Sequence, residues 1–296
     1  SFIGGGTDLP NYYLNNSYGS VISTAINKYV YVTIKKHPEI FDEKIRLSYS
    51  STESLQDVDS IKNNIIRAAL KFLNINEGIH VLTYADVPAS TGLGSSSAFT
   101  VALLMALHRF KGDYFTLVQI AEEACYIEME VLDSKVGKQD QYASALGGLN
   151  YLKFHDDNSV SLQPIHKTAN IFLSLISKSK LYFTGHLRSA SKILEEQVSG
   201  MQKKEEHYNK LKNLTEKCLL EIKKGTLTED HLNKFILKGW ILKKQLSRSI
   251  VNYDINKIAD FAMDSGAFSI KLLGAGGGGF LLVSGSKELH CEIHKE

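Results

Sequence analysis

Cysteine is scarce in this chain: three in 296 residues, Cys125, Cys218 and Cys291, odd in number and far apart. That excludes a disulfide framework and a CxxC metal site, fits a reducing cytoplasm, and leaves the three thiols as packing residues. Net charge is nearly absent too, +2 at pH 7 from 34 basic against 32 acidic residues. A chain so balanced offers no broad basic face to nucleic acid or to an anionic membrane. Long apolar runs are missing: nothing approaches the roughly eighteen unbroken apolar residues of a membrane span. Neither a secretory leader, an internal repeat nor a low-complexity tract is legible. The chain opens on Ser1-Phe2-Ile3-Gly4 with no initiator methionine and inside what reads as a strand, so native sequence is expected ahead of Ser1. What remains is the composition of a globular protein, 43% apolar and 22% charged, with length for one large or two ordinary domains.

Within that plain background, residues 88–98 read PASTGLGSSSA. They follow an extended-looking segment, residues 80–85 (HVLTYA), and precede an apolar segment at 99–110. Extended, then glycine-rich, then helical is the order that builds an anion cradle. Glycine tolerates positive φ and lets the backbone close on a ligand. The first free N–H groups of the helix then point at the negative charge. Ser95, Ser96 and Ser97 are placed to cap that helix and to offer hydroxyls to a phosphate or its metal. One Gly and one Ser would read as an ordinary capped turn; this density of both reads as phosphate binding. No Gly-Lys-Ser/Thr follows, so the loop is not a Walker A motif.

Elsewhere the chain alternates strand-like and helical stretches. Residues 1–10 (SFIGGGTDLP) run an apolar strand end into three glycines and a Thr-Asp pair, which alone would be a turn and helix cap. Residues 21–34 read as strand and residues 47–50 as a further short one. Residues 60–73 set Ile61, Ile65, Ala68, Ala69 and Phe72 at helical spacing. The helix at 99–110 is apolar nearly all round and so expected to be buried, with His108 as a core or boundary histidine. Residues 117–132 form another helix carrying Glu122, Glu123, Glu128 and Glu130, and Asp140 then sits between Gln139 and Gln141. That acid is read either as an N-cap or as a partly buried site residue. Residues 171–176 and 180–184 look like strands. Later helical stripes run through Leu211, Leu214, Cys218 and Ile222, through Leu232, Phe235, Ile236 and Leu246, and through Ile255, Ile258, Ala262 and Met263. At 274–279 the glycines fit a G-x-G-x-x-G count, but an apolar strand (280–283) follows where a dinucleotide site needs a helix.

Pro88 and Gly92-Leu93-Gly94-Ser95-Ser96 match, without a gap, the central signature of the GHMP kinases, the superfamily of galactokinase, homoserine kinase, mevalonate kinase and phosphomevalonate kinase. Residues 4–8 resemble the first signature of that superfamily, and Lys271 to Gly276 (KLLGAG) with the glycines beyond resemble the third. The resemblance covers essentially the whole chain and implies an α+β fold in two parts. Residues 1–158 would be a domain like ribosomal protein S5 domain 2, and residues 159–296 a ferredoxin-like domain, with the active site between them. It implies ATP and Mg²⁺ as cofactors. Pro88, Ser90, Thr91, Gly92, Leu93, Gly94, Ser95, Ser96 and Ser97 would bind the nucleotide, Ser96 and Glu128 the metal (with Glu130 as fallback), and Asp140 would be catalytic.

Gly5, Gly6, Thr7, Asp8, Gln139, Tyr142, Gly276 and Gly277 would shape the acceptor site. The stretches GGGTDLP, GKQDQYA and TGHLRSASKILEEQ resemble most closely the branch acting on a heptose 7-phosphate. That branch phosphorylates the anomeric hydroxyl on the way to nucleotide-activated heptose. Arg188, Ser189 and Lys192 would then hold the acceptor's phosphate, for which a guanidinium fork, an ammonium and a helix start are suited; a solvated, capped helix start is the equal alternative. The expected partner is a small sugar phosphate, not nucleic acid or membrane, with the oligomeric state open. Another acceptor, such as fucose or a hexose, and a non-catalytic sugar sensor are the competing readings.

Overall fold

The protein is described by a computed structural model for residues 1–76, 78–187 and 190–295. A one-turn helix α1 (Pro10–Tyr13) leads into β1 (Tyr18–Thr24), β2 (Val30–Lys36), β3 (Ile45–Ser48), β4 (Thr52–Leu55), α2 (Asn64–Phe72) and β5 (Ile79–Ala85). Then come α3 (Ser95–Lys111), α4 (Leu117–Tyr126), a π-helical turn (Ile127–Val131) and α5 (Gln139–Leu146). The hairpin β6 (Leu149–His155) and β7 (Val160–Pro164) follows, then α6 (Ala169–Ser177), β8 (Ser179–Phe183), α7 (Ala190–Ser199), α8 (Met201–Lys224) and α9 (Glu229–Lys244). A 3₁₀ turn (Arg248–Ile250), α10 (Tyr253–Asp264), β9 (Ser269–Leu272), β10 (Phe280–Ser284) and α11 (Lys287–Ile293) complete the chain.

Three sheets result, ordered β1-β6-β7, β2-β5-β3-β4 and β8-β10-β9. The segment read as one strand at 21–34 is two, in different sheets: β1 pairs with β6 and β2 with β5. Helix α3 lies on the four-stranded sheet with Val101, Leu103, Leu104 and Leu107 buried beside Ile120 and Ala124 of α4 and Val81 of β5. Its apolar surround buries as expected, and it stops at Gly112, whose φ of +82° admits the left-handed cap. Helix α2 starts four residues inside the expected span, directly after Asn63, whose side chain accepts the N–H of Ile66.

Residues 171–176 are helical, not the strand their sequence suggested. Phe172 and Leu175, one turn apart, are the pair that buries, while Leu173 stays 60% exposed. A six-residue apolar run carries no period long enough to tell the two apart, and the packing of α6 on α9 decides it. Helix α8 ties the molecule together. Tyr208 and Leu211 join the core over β9 and β10, and Cys218 and Ile222 join another with Phe2, Ile3 and Ile22. The boundary expected between residues 158 and 159 falls in the turn of the β6–β7 hairpin, where Phe154 pairs with Val160; we propose the division just past Pro164, which keeps that hairpin whole. No helix among the described residues is long and apolar enough to cross a membrane.

Candidate active site

The loop from β5 into α3 is closed by contacts only glycine permits. Gly92 and Gly94 have φ of +78° and +74°. A Cβ on Gly92 would strike the Leu273 carbonyl at 2.8 Å, and one on Gly274 would lie 2.4 Å from the Cα of Gly92. The central and third glycine runs therefore pack backbone on backbone, which explains why both are glycine-rich. The Thr91 hydroxyl pins the turn by donating to Pro88 O at 3.0 Å.

The serines do not cap α3 as expected. Its N-cap is Gly94, with no side-chain cap, and the first helical bond is Ala98 N–H to Gly94 O at 2.9 Å. The amides of Ser95, Ser96 and Ser97 thus have no helical acceptor and form the open end of the helix. The serine hydroxyls turn elsewhere: Ser95 toward Pro88 O, Ser97 to Glu128 at 2.9 Å, and Ser96 to within 3.5 Å of Glu128 Oε1.

Glu128 is placed by the π-helical turn. The wider winding after Tyr126 buries Glu128 and leaves Glu130 exposed. The Glu128 carboxylate accepts from Thr100 Oγ1 at 2.7 Å and from the Gln141 amide as well as from Ser97. Burial pushes its carboxyl above the usual range, the three side-chain donors pull it back, and the Asp140 charge pushes it further up. Ser96 and Glu128 offer two hard oxygens, the kind of sparse protein donor set Mg²⁺ takes beside phosphates. Among the described residues no cluster of three or more His, Cys, Asp or Glu competes for a metal.

Asp140 lies over the phosphate loop. It stands in the first turn of α5, where Lys138 is the N-cap, so the capping reading of Asp140 does not hold. Its carboxyl carbon is 3.2 Å from where a Gly94 Cβ would be. Burial raises its pKa, opposed by nearby positive charge including Lys243. Asp8 sits close by, 2% exposed, accepting the Gly6 N–H at 2.9 Å and the Gln139 N–H at 3.4 Å. It too is shifted upward by burial, with its backbone donors opposing. Any side chain on Gly137 would overlap the Asp8 carboxylate, within 1.9 Å. Gln139 faces Gly5 and keeps a buried, unpartnered Oε1 among the described residues.

Several expected contacts fall elsewhere. Thr7 is fully buried; its hydroxyl bonds to Gly4 O and Ser20 O, so it shapes the turn and is not free for a substrate. Tyr142 is 4% exposed and belongs to the apolar core under α3. Gly276 packs on Ile250, and Gly277 N–H donates to Ile250 O at 2.7 Å, so both serve the loop's own packing. Lys192 is exposed on α7. Arg188 and Ser189 lie outside the described residues.

Two lysines were missed. Lys243 is buried, donates to Gly274 O, and has a pKa lowered to about 8 by burial, against the pull of Asp8 and Asp140. Lys271 is buried and donates to the carbonyls of Ser1 and Phe2. Both had a signal: Lys243 continues the buried stripe Leu232, Ile236, Trp240, and Lys271 interrupts a strand buried on both faces. Tyr208, buried with an unpartnered hydroxyl against Gly6, carried none.

The pattern of the GHMP kinases N terminal domain matches residues 63–148, which hold the phosphate loop, Glu128 and Asp140. A D-glycero-alpha-D-manno-heptose 7-phosphate kinase of Campylobacter jejuni is 32% identical over 292 residues, 94% of this chain and 84% of that one. The chain belongs to the GHMP kinases. An L-fucokinase/L-fucose-1-P guanylyltransferase of Bacteroides fragilis is 29% identical over 317 residues, but this GHMP kinase spans only 33% of its length. Among solved structures, a D-glycero-D-manno-heptose 1-phosphate kinase from Bacteroides thetaiotaomicron superposes with a TM-score of 0.77 at 24% identity, over 99% of this chain and 88% of that one. The likeness is one of fold, and the fold is the α+β arrangement expected of a GHMP kinase.

Proposed function

We propose that this GHMP kinase transfers the γ-phosphoryl group of ATP to the anomeric hydroxyl of D-glycero-D-manno-heptose 7-phosphate, giving the 1,7-bisphosphate. The observation that carries the reading is the Asp140 carboxyl held against Gly94, where a phosphoryl group over the loop and an acceptor beside Asp8 would meet. Phosphoryl transfer leaves the protein little covalent work, so positioning and charge stabilisation do most of it. The open amides of residues 95–97 hold the nucleotide's phosphates. A small pocket lined in part by Ile26, Tyr29, Val87, Leu93, Ser95 and Ala98 adjoins the loop. Ser96 and Glu128 hold Mg²⁺, which supplies charge neutralisation on the phosphate oxygens. Asp140 accepts the acceptor's hydroxyl proton, and Asp8 binds sugar hydroxyls while Lys243 balances the two carboxylates. Ser96, Glu128 and Asp140 standing together support an enzyme over a sensor that keeps only the cleft.

The test is ADP release by the purified protein across heptose 7-phosphate, free heptose, fucose, galactose and mannose with Mg·ATP. The expected result is the highest kcat/KM on heptose 7-phosphate. A tenfold preference for free fucose, or no turnover of any sugar, would overturn the reading.

A further inference from the structure

Two residues ahead of Asp140, Lys138 is a buried lysine, 7% exposed, and among the described residues its ammonium hydrogen-bonds no carboxylate. It donates instead to one residue twice, to the Asn158 carbonyl at 2.8 Å and to Asn158 Oδ1 at 2.6 Å. The Tyr13 ring centroid lies 5.5 Å from the same ammonium. The Tyr13 hydroxyl also donates to Asn158 Oδ1, at 2.7 Å, so two donors fix which way the Asn158 amide is turned. Asn158 stands in the turn between β6 and β7 with a φ of +71°, a left-handed backbone that asparagine takes more readily than most residues. The tip of that hairpin thus offers two oxygens of one residue to a single ammonium.

For packing alone, an ammonium is the wrong group in this place. Burial holds Lys138 below the usual lysine range, against the pull of Cys125, Glu122, Glu130 and Asp157. An apolar side chain of similar length would fill the same volume without that cost. What the lysine adds is a directional tie between the hairpin and the start of α5. The backbone of the same turn is docked on Asp8. The Lys138 N–H reaches the Asp8 carbonyl and the Gln139 N–H reaches the Asp8 carboxylate, each at 3.4 Å. The Lys138 carbonyl accepts the Tyr142 N–H, again at 3.4 Å, to open the helix. All three are long for hydrogen bonds and hold the helix start loosely. The short contacts are those of the Lys138 side chain, and Asp140 in the first turn goes where they hold it.

Resting on the sugar kinase reading, we infer that Lys138, anchored by Asn158 and Tyr13, is the positioning residue that sets Asp140 over the Gly94 end of the phosphate loop and in register with Asp8. The hairpin tip then serves the reaction through Lys138 without touching substrate. A misplacement of about 1 Å in a reacting group can cost about a hundredfold in rate, so a loosened α5 slows transfer while leaving the nucleotide's own contacts in place.

Three variants of the full chain test it. Lys138→Met keeps the stem's packing and removes the ammonium. Asn158→Gly keeps the left-handed backbone and the carbonyl and removes Oδ1, and Asn158→Asp keeps an oxygen for both donors. With Mg·ATP and the sugar that the unmutated protein turns over best, Lys138→Met should lower kcat by about ten- to a hundredfold, and Asn158→Gly by less. Asn158→Asp should hold kcat near the unmutated value. The KM for ATP and the Tm should stay near those of the unmutated protein, because Asn158 is exposed and water can take over its oxygens. Amide hydrogen exchange should quicken over residues 4–9 and 137–146 in Lys138→Met and Asn158→Gly. A kcat within about twofold of the unmutated value in Lys138→Met, or a loss that only tracks a fall in Tm, makes Lys138 a packing residue and overturns the inference. If the unmutated protein turns over no sugar, the kinase reading fails by itself and exchange decides: quicker exchange over those residues supports the tie, and unchanged exchange refutes it.

Discussion

Glu128 and Gly6 mark two halves of one cleft that are finished to different degrees. Around Glu128 the carboxylate is met by Thr100, Ser97 and Gln141, and the loop beside it is locked by glycine-on-glycine contact. Around Gly6 the protein leaves polar atoms without protein partners: the Tyr208 hydroxyl and Gln139 Oε1 are buried and unpartnered among the described residues. An unmet buried polar group costs about 1–3 kcal/mol, so a ligand that meets it gains what the fold gave up. On the proposed reading the half around Glu128, which would hold the nucleotide, is preorganised and chemically generic. The half around Gly6, which α8 and the end of α9 pack against, would on the same reading be where a substrate is told from its analogues.

The sharpest way to break the comparison is at the carboxylate between the halves. Asp140→Asn should lower kcat by about 10²–10⁴-fold, the usual contribution of a general base, with ATP affinity kept. The same variant should melt higher at neutral pH. Burial raises the Asp140 pKa, so between the ordinary value of 3.8 and the raised one the folded protein holds a proton that the unfolded chain has lost. Stability therefore falls as pH rises from the ordinary value through that window. Thermal melts should show the variant's gain shrinking to nothing below pH 3.8.

On the generic side, Ser96→Ala and Thr100→Val should each cut kcat by about tenfold or more and change the Mg²⁺ dependence, as loss of a hydrogen bond to a charged group implies. Ser96→Ala should unfold near the unmutated Tm, whereas Thr100→Val, which takes a donor from the buried Glu128 carboxylate, should lower it; a kcat within twofold with unchanged metal dependence would move the metal ligand elsewhere.

Lys243 should give kcat an alkaline limb. Its pKa of about 8 means that it loses its charge there, beside Asp8, Asp140 and Lys271, while an unfolded lysine keeps its own to near 10.5. Lys243→Met should lower kcat at pH 7 and remove the limb near pH 8, and a profile unchanged above pH 8 would contradict it. The smallest effect belongs to Tyr208→Phe. A neutral hydrogen bond contributes about 0.5–1.5 kcal/mol, so KM for the sugar phosphate should rise by about two- to twelvefold with KM for ATP unchanged.

The two halves also differ in how far the sequence revealed them. Gly92, Gly94 and the serines are local in the chain, and a loop between strand and helix builds its anion site from consecutive residues. Asp8 and Asp140 stand in recognisable motifs, and the fold brings the two carboxyls near each other. Lys243 and Tyr208 come from helices far away in the chain, and only packing brings them to Gly274 and Gly6; Lys271 stands inside the third glycine-rich signature, and only packing carries its ammonium to the carbonyls of Ser1 and Phe2. Thr7 and Tyr142 were overread for the mirror-image reason: polar character near a motif does not show whether the group faces the cleft or the core. Which of Glu128 and Glu130 faces inward is decided by tertiary packing, since on any helical winding residues two apart point nearly opposite ways and only one of them buries.

The central claim is that Asp140 and the phosphate loop act on the anomeric hydroxyl of a sugar already phosphorylated at its far end. Phosphorus NMR of the product from Mg·ATP and heptose 7-phosphate tests it directly. The expected spectrum has two sugar phosphorus signals, one coupled to the anomeric proton, and over the same time Asp140→Asn forms little or none of the second. A new phosphate on any other hydroxyl, or equal product from Asp140→Asn, would contradict the account.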